Sequence, residues 1–142
     1  CVTVTGVSGI PESLRRWSVL GLGTDLVDVV RVDNALQRHG DRFRARVFTP
    51  EEIAYCEGMA RPGPHYAARF AAKEAVSKAL GTGICGAFPW KAVAVAKRAS
   101  GEPYAVLDET GQALVNRLGG ETVLITLAHT ATLATATALL VG

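Results

Sequence analysis

The segment RFAAKEAVSKALG, residues 69–81, is the starting point for predicting the fold of this chain. Its residues are alanine-rich and strongly helix-forming and end in a glycine, so the sequence predicts a helix over residues 65–80. Residues four apart share one face of a helix, which places Phe70, Glu74 and Lys78 in one row. An apolar stripe on another side is predicted to pack into the core: Ala68, Ala72, Ala75, Val76 and Ala79.

The charges on this helix admit two interpretations. The ordinary one is an exposed ion pair between Glu74 and Lys78, which would stabilise the helix by only about 0.2–0.5 kcal/mol. The other is a functional face, on which a carboxylate and an ammonium lie side by side on a rigid alanine-rich support. The helix alone favours the ordinary interpretation.

The first half of the chain carries further predicted elements. Residues 1–18 contain glycines, a proline and little periodicity, which predicts an extension before a single domain over residues 19–142. The β-branched, glycine-punctuated SVLGLGTDLVDVV predicts a strand that opens into a turn near Asp25. A helix over residues 32–39 is expected next, and FTPEEIAYC predicts another helix capped by Thr49. RPGPH predicts a break before the long helix.

The second half is mostly strand. WKAVAVAK and PYAVLD flank the hairpin-like RASGEP, and ETGQALVNRLGG predicts a short helix closed by glycines. TVLITLAH and TLATATALLV predict two more strands, joined through His129 and Thr130. Segregated helices and antiparallel strands around one long helix make the predicted fold class α+β.

Composition limits the classes of function. The chain has 142 residues, a formal net charge of +2, 49% hydrophobic residues and 20% charged residues, which fits one globular domain. So small a charge argues against a dedicated nucleic-acid binder. The chain has three cysteines, Cys1, Cys56 and Cys85, and their spacing is not that of metal ligands. It has no signal-peptide pattern and no apolar run long enough to span a membrane. These features predict a cytoplasmic protein.

Two residues outside the helix could carry chemistry. Asp25 lies at the predicted turn, where aspartate is common because it bonds its own backbone. His129 lies between two apolar strands, where a lone histidine is more often a core residue than a catalytic one. Each residue by itself is a weak indication of function.

Four segments occur in a specific order: GLGTDLVDVVRV, FTPEEIAYC, ARFAAKEAVSKALGTGI and TLAHT. Together they resemble the holo-[acyl-carrier-protein] synthase family of 4′-phosphopantetheinyl transferases, from about residue 19 to the C-terminus. The resemblance implies transfer of the phosphopantetheine arm of coenzyme A to a serine of a carrier protein, with release of adenosine 3′,5′-bisphosphate. It also implies a 4′-phosphopantetheinyl transferase-like fold and a homotrimer with sites at subunit interfaces.

The resemblance also implies roles for individual residues. Asp25 and Glu74 would hold Mg²⁺, which is typically bound by one or two carboxylates plus substrate phosphates. Lys78 would lie over the pyrophosphate, and Glu74, Lys78 and His129 form the implied catalytic set. The implied coenzyme A contacts, with Arg61 at the 3′-phosphate, are Arg61, Arg69, Lys78, Gly81, Gly83 and His129.

One position departs from the pattern of some relatives, which carry a carboxylate directly after the histidine. Here that position is Thr130, so no carboxylate base is available there. We expect Glu74, acting through a water molecule, to be the route by which the carrier serine loses its proton.

A basic segment provides a candidate docking surface for an acidic carrier protein. RHGDRFRARVF contains Arg38, Arg42, Arg44 and Arg46 around Phe43, and Arg31 lies upstream. The predicted docking residues are Arg31, Arg42, Phe43 and Arg46. The alternatives for this segment are a solvated basic surface or a nucleic-acid contact. For the whole chain, the alternative is a Mg²⁺-dependent coenzyme A or nucleotide-binding module without transfer activity.

Overall fold

The computed structural model describes residues 18–142, which form a mixed structure of helices and antiparallel strands. The proposed N-terminal extension, apart from Ser18, lies outside the described residues. The helices are α1 (Val29–His39), α2 (Asp41–Val47), α3 (Pro50–Glu57), α4 (Pro62–Ala79) and α5 (Glu109–Arg117). The strands are β1 (Val19–Asp28), β2 (Val93–Lys97), β3 (Pro103–Leu107), β4 (Thr122–His129) and β5 (Leu133–Val141). The α+β prediction is confirmed.

The strands form two antiparallel sheets. The larger sheet has the order β1-β5-β4, and β2 pairs with β3 in a separate hairpin. Helix α4 packs across one face of the larger sheet and contacts all three of its strands. Its predicted apolar stripe is buried there, with Ala75 and Val76 at 0% exposure.

Two glycines let α4 approach β1 closely. A Cβ atom at Gly21 would clash with the carbonyl oxygen of Ala79, and one at Gly23 would clash with that of Ala75. The missing side chains therefore bring the backbone of the strand directly against the backbone of the helix. This contact sets the distance between the two elements that carry the site.

The prediction of a turn near Asp25 was wrong. β1 runs without interruption to Asp28 and pairs with β5 along its length, with Asp25 opposite Ala136. The glycines of the segment permit close packing rather than a turn. Asp25 is therefore a strand residue that faces α4.

The boundaries of two helices also differ from the predictions. α1 begins at Val29, directly after β1, three residues earlier than expected. RPGPH is not a break, because Pro62 begins α4 and proline is well suited to the first position of a helix. The predicted cap of α3 is confirmed as a capping box, in which Thr49 and Glu52 each bond the other's backbone amide.

Among residues 18–142, no helix combines the length and the apolar character needed to cross a membrane.

Candidate active site

Asp25 from β1 and Glu74 from α4 form a carboxylate pair. The side chain of Asp25 is 18% exposed, and Glu74 is half-buried. Burial raises the pKa of the Glu74 carboxyl above its ordinary value, and the negative charge of Asp25 raises it further. The positive charges of Lys78 and Arg31 act to lower this pKa. The two carboxylates therefore lie close enough to influence each other.

Lys78 connects the helix to the strand. Its Nζ donates hydrogen bonds to Asp25 Oδ1 and to the carbonyl oxygen of Thr24, each at 3.0 Å. The ordinary interpretation, an ion pair with Glu74 within the helix, is not what the described residues show. The ammonium lies beside the carboxylate pair, where it can contact an anionic ligand.

The donor set of this pair limits the metals that it fits. Within the described part of the chain, no group of three or more histidine, cysteine, aspartate or glutamate side chains is arranged to hold a metal ion. Two carboxylates leave most coordination positions to water and to substrate oxygens. Mg²⁺ is commonly bound in this way, so the residues fit this ion.

A second cluster surrounds Arg69 in the first half of α4. Arg69 is 3% exposed, and its guanidinium lies 4.0 Å from the centre of the Tyr55 ring. Its Nη1 donates to the carbonyl oxygen of His65 at 3.3 Å, while its buried Nε has no partner among the described residues. A buried donor without a partner is costly, so an acceptor on a ligand would satisfy it.

His129 lies at the end of β4 and is exposed, so its interpretation as a core histidine was wrong. Its ring centre lies 4.9 Å from that of His65 in an edge-to-face arrangement. Burial lowers the pKa of the His65 imidazole below its ordinary value, and the charges of His129 and of nearby Arg69 and Lys97 lower it further. A bound anion would relieve this repulsion.

Three members of this cluster, His65, Tyr55 and Lys97, were not predicted from the sequence. Lys97 Nζ lies 5.1 Å from the centre of the Tyr55 ring, on which Arg69 also packs. Burial acts to raise the pKa of the Tyr55 phenol, but Lys97 and Arg69 together hold it below its ordinary value. His65 precedes Arg69 by one helical turn, and this spacing could have drawn attention to it. Nothing in the local sequence marks Lys97 or Tyr55.

The loop after α4 contains the two predicted glycines. Gly81 has φ of 78° and Gly83 has φ of 65°, which side chains other than glycine rarely adopt. A Cβ atom at either position would have open space around it. The backbone conformation therefore explains both glycines, and their approach to a nucleotide stays a prediction.

Arg61 lies at the N-terminal boundary of α4 and is exposed. Among the described residues, no hydrogen bond or ion pair joins it to the Arg69 cluster or to the carboxylate pair. Its predicted contact with the 3′-phosphate stays a prediction.

Three of the predicted docking residues surround a small surface cavity on α1 and α2. The cavity has a volume of about 200 Å³ and is lined by His39, Arg42, Phe43 and Arg46. Phe43 is half-buried, and its ring packs against Phe48 and Phe70 at centroid distances of 5.9 and 6.5 Å. Phe43 therefore lines the cavity, and its ring is held in place by these two aromatic contacts.

Arg44 of this segment and the upstream Arg31 differ in their surroundings. Arg44 Nε donates to Glu57 Oε1 at 2.9 Å, so this arginine is tied to α3 and does not belong to the free basic surface. Arg31 is exposed on α1 and close enough to Glu74 to lower its pKa. Among the predicted docking residues, Arg31 is therefore the one whose charge reaches Glu74.

Comparison with known proteins identifies the family. Residues 21–133 match the model of the 4′-phosphopantetheinyl transferase superfamily. A holo-[acyl-carrier-protein] synthase of Koribacter versatilis is 40% identical over 122 residues, which span 86% of this chain and 98% of the relative. One of Methylorubrum populi is 52% identical over 85 residues, spanning 60% of this chain and 62% of the relative.

Solved structures give the same result. Holo-[acyl-carrier-protein] synthase from Neisseria meningitidis superposes with a TM-score of 0.80 at 30% identity, covering 86% of this chain and 98% of that one. The Helicobacter pylori protein in complex with coenzyme A gives 0.75 at 25% identity, covering 84% and 98%. The chain belongs to the 4′-phosphopantetheinyl transferase superfamily, and the resemblance of its four sequence segments is confirmed.

Proposed function

We propose that this protein transfers the 4′-phosphopantetheine arm of coenzyme A to a serine of an apo-acyl carrier protein and releases adenosine 3′,5′-bisphosphate. Its relatives are named for this synthase activity, and one of the similar structures contains coenzyme A. The observation that carries the proposal is the convergence of Asp25, Glu74 and Lys78 from β1 and α4 at the positions that match the family's motifs.

Asp25 and Glu74 would hold Mg²⁺ in this reaction, and the ion would neutralise charge on the pyrophosphate. Lys78, whose ammonium already lies at Asp25, would contact a phosphate oxygen of coenzyme A. The serine oxygen attacks the phosphorus that bears the pantetheine arm, and the bond from that phosphorus to the bridging oxygen breaks. Glu74 would accept the serine proton through a water molecule.

The Arg69 cluster would bind a further phosphate of coenzyme A. Arg69 offers a buried donor without a partner, and His129 lies beside it across His65. We assign Arg61, Gly81 and Gly83 to the nucleotide by resemblance alone.

The acidic carrier protein would dock on the basic surface formed by Arg31, Arg42, Phe43 and Arg46. The cavity floored by Phe43 lies between the arginines, and Arg31 acts on the charge of Glu74. A carrier on this surface would therefore present its serine near the carboxylate pair. The proposal includes the cytoplasmic location predicted from the sequence.

We also propose that the protein is a homotrimer. The face of the larger sheet opposite α4 exposes four leucines at 40–67%: Leu22, Leu26, Leu124 and Leu133. Leu22 and Leu124 flank Leu139 of β5 in one row across the sheet. An exposed apolar face of this kind is typical of an interface between subunits. Leu124→Glu should lower the molar mass measured by light scattering, whereas Val106→Glu on exposed β3 should not.

The transfer reaction provides the direct test. The protein is incubated with coenzyme A, Mg²⁺ and an apo-acyl carrier protein, and the carrier is weighed by mass spectrometry. Transfer adds the mass of one phosphopantetheine, and Asp25→Asn and Glu74→Gln should each reduce the rate by more than the roughly 10–100-fold typical of outer-shell residues. A protein that binds coenzyme A but leaves the carrier unchanged would be a binding module.

A further inference from the structure

The side chain of Lys73 is fully buried in α4, one residue before Glu74. Its Nζ lies 2.8 Å from Glu52 Oε1 and donates to the carbonyl oxygens of Trp90 at 3.1 Å and Val93 at 2.8 Å. An ammonium group has three N–H donors, so all three are used. Lys73 therefore joins α4 to α3 and to the segment that leads into β2.

Glu52 is equally well satisfied. Its side chain is 1% exposed, its Oε1 also accepts from the amide of Thr49 at 2.9 Å, and its Oε2 accepts from the amide of Val95 at 2.9 Å. Apolar residues of similar volume often stabilise a core as well as a buried ion pair does. Stability alone therefore does not explain this pair. Its five hydrogen bonds and ion-pair contacts fix the relative placement of α3, α4, the segment at Trp90 and β2.

That placement determines where Glu74 points. Successive residues of a helix project about 100° apart, so fixing Lys73 toward α3 and β2 turns Glu74 toward another side. On β1, the backbone at Gly23 lies directly against that of α4 at Ala75. α4 is thus held by the ion pair on one flank and by the glycine contact on another, and Lys78, one turn after Glu74, reaches Asp25 Oδ1 at 3.0 Å on the side of α4 that faces β1.

We propose that Glu52 and Lys73 are positioning residues that set the rotation of α4 and thereby direct Glu74 toward Asp25. This inference rests on the proposed function, in which Asp25 and Glu74 hold Mg²⁺. Neither Glu52 nor Lys73 touches a substrate in this arrangement. They act through the orientation of the helix, as outer-shell residues do at other metal sites.

The double variant Glu52→Gln/Lys73→Met tests the proposal. Glutamine can keep the capping box of α3, and no unpaired charge remains in the core. The purified protein is titrated with Mn²⁺ in the presence of adenosine 3′,5′-bisphosphate, and electron paramagnetic resonance reports free and bound metal. We expect the Mn²⁺ dissociation constant to rise about 10- to 100-fold, in parallel with the Mg²⁺ concentration for half-maximal transfer. The KM for the carrier should stay unchanged.

The exposed pair Arg98–Glu102, joined at 2.9 Å, provides the matched control. Arg98→Met/Glu102→Gln removes one positive and one negative charge, as the test variant does, and should bind Mn²⁺ like the unaltered protein. A folded Glu52→Gln/Lys73→Met variant that also binds Mn²⁺ like the unaltered protein overturns the positioning role and leaves the proposed function intact.

Two further outcomes are distinguishable. If the unaltered protein binds no Mn²⁺, or if Asp25→Asn does not weaken its binding, the proposed metal site fails and the positioning role fails with it. If circular dichroism shows that the double variant does not fold, Lys73→Met alone is titrated in the same way, because Glu52 keeps the hydrogen bonds that it accepts from the amides of Thr49 and Val95. An unchanged dissociation constant in that variant equally overturns the positioning role.

Discussion

Thr130 illustrates how a single residue's contacts limit its role. Its Oγ1 accepts hydrogen bonds from the amides of Thr132 at 3.2 Å and Leu133 at 3.0 Å, which stabilise the turn between β4 and β5. The hydroxyl oxygen is therefore engaged in local structure. This agrees with the expectation that the residue after His129 is not a base in this chain.

Thr130→Val should reduce kcat by no more than about tenfold, because at most one neutral hydrogen bond to the reacting groups is lost. Steady-state transfer kinetics measure this effect, and the neighbouring exposed Thr132→Val is the matched control. A loss of several orders of magnitude in a folded Thr130→Val protein would place the hydroxyl in the proton path and contradict the role given to Glu74.

His65 provides a pH-dependent prediction. Its pKa is lower in the folded protein than in the unfolded chain, because of burial and the charges of His129, Arg69 and Lys97. The unfolded chain therefore binds the proton more readily, and folding stability is lost as the pH falls below about 6.5. His65→Phe should remove part of this loss.

Thermal unfolding of the free protein, followed between neutral pH and about pH 5, measures the effect across the range in which histidine titrates. The melting temperature should fall more steeply with pH in the unaltered protein than in His65→Phe. Parallel curves would show that the cluster around His65 does not disfavour its protonation.

At the scale of elements, the contact between β1 and α4 builds the site. β1 supplies Asp25, α4 supplies Glu74, and the two elements meet where Gly23 lies against Ala75. The ion pair between Lys78 and Asp25 spans the same contact. The site therefore depends on how closely a strand and a helix can approach each other.

Gly23→Ala should destabilise the protein by about 1–3 kcal/mol, because the new Cβ would clash with the carbonyl oxygen of Ala75 and force the elements apart. Urea unfolding measures the change, and transfer activity should fall with it. Gly58→Ala is the control: its φ of −74° suits alanine, and the nearest atom lies 3.4 Å away. We expect this control to change stability by less than about 1 kcal/mol. Equal stability in the two variants would show that the close approach is not required.

Local sequence patterns predicted some of the elements correctly and others wrongly. The Thr49 cap of α3 and the helix α4 followed from neighbouring residues, and both are confirmed. The turn predicted near Asp25 was wrong because glycines mark turns and close backbone packing alike. Only the pairing with β5 and the contact with α4 distinguish the two cases.

At the scale of the whole molecule, basic residues of α1 and α2 form the candidate docking surface for a carrier protein. Arg42 and Arg46 lie on α2 beside a cavity, and Arg31 on α1 influences Glu74. Charges at the rim of an interface act mainly on the rate of encounter with a partner of opposite charge. The docking of an acidic carrier on these residues stays a prediction.

Arg42→Glu/Arg46→Glu should raise the KM for the carrier roughly tenfold or more at low salt, with a much smaller effect on the KM for coenzyme A. The increase in the KM for the carrier should become smaller as the salt concentration rises, because exposed charges are screened. Arg98→Glu/Arg117→Glu, with the same change of charge on exposed residues elsewhere, is the control. Equal increases in both KM values would remove this surface from carrier docking.

The sequence by itself determined the long helix, its apolar stripe, the order of strands along the chain and, through four ordered segments, the family. These properties depend on neighbouring residues or on motifs that are contiguous in the chain. Tertiary structure alone decided that Asp25 is a strand residue facing α4, that Lys73 pairs with Glu52 in the core, and that Tyr55 and Lys97 adjoin Arg69. Each of these contacts joins residues far apart in the chain, and no local preference of either partner specifies the other.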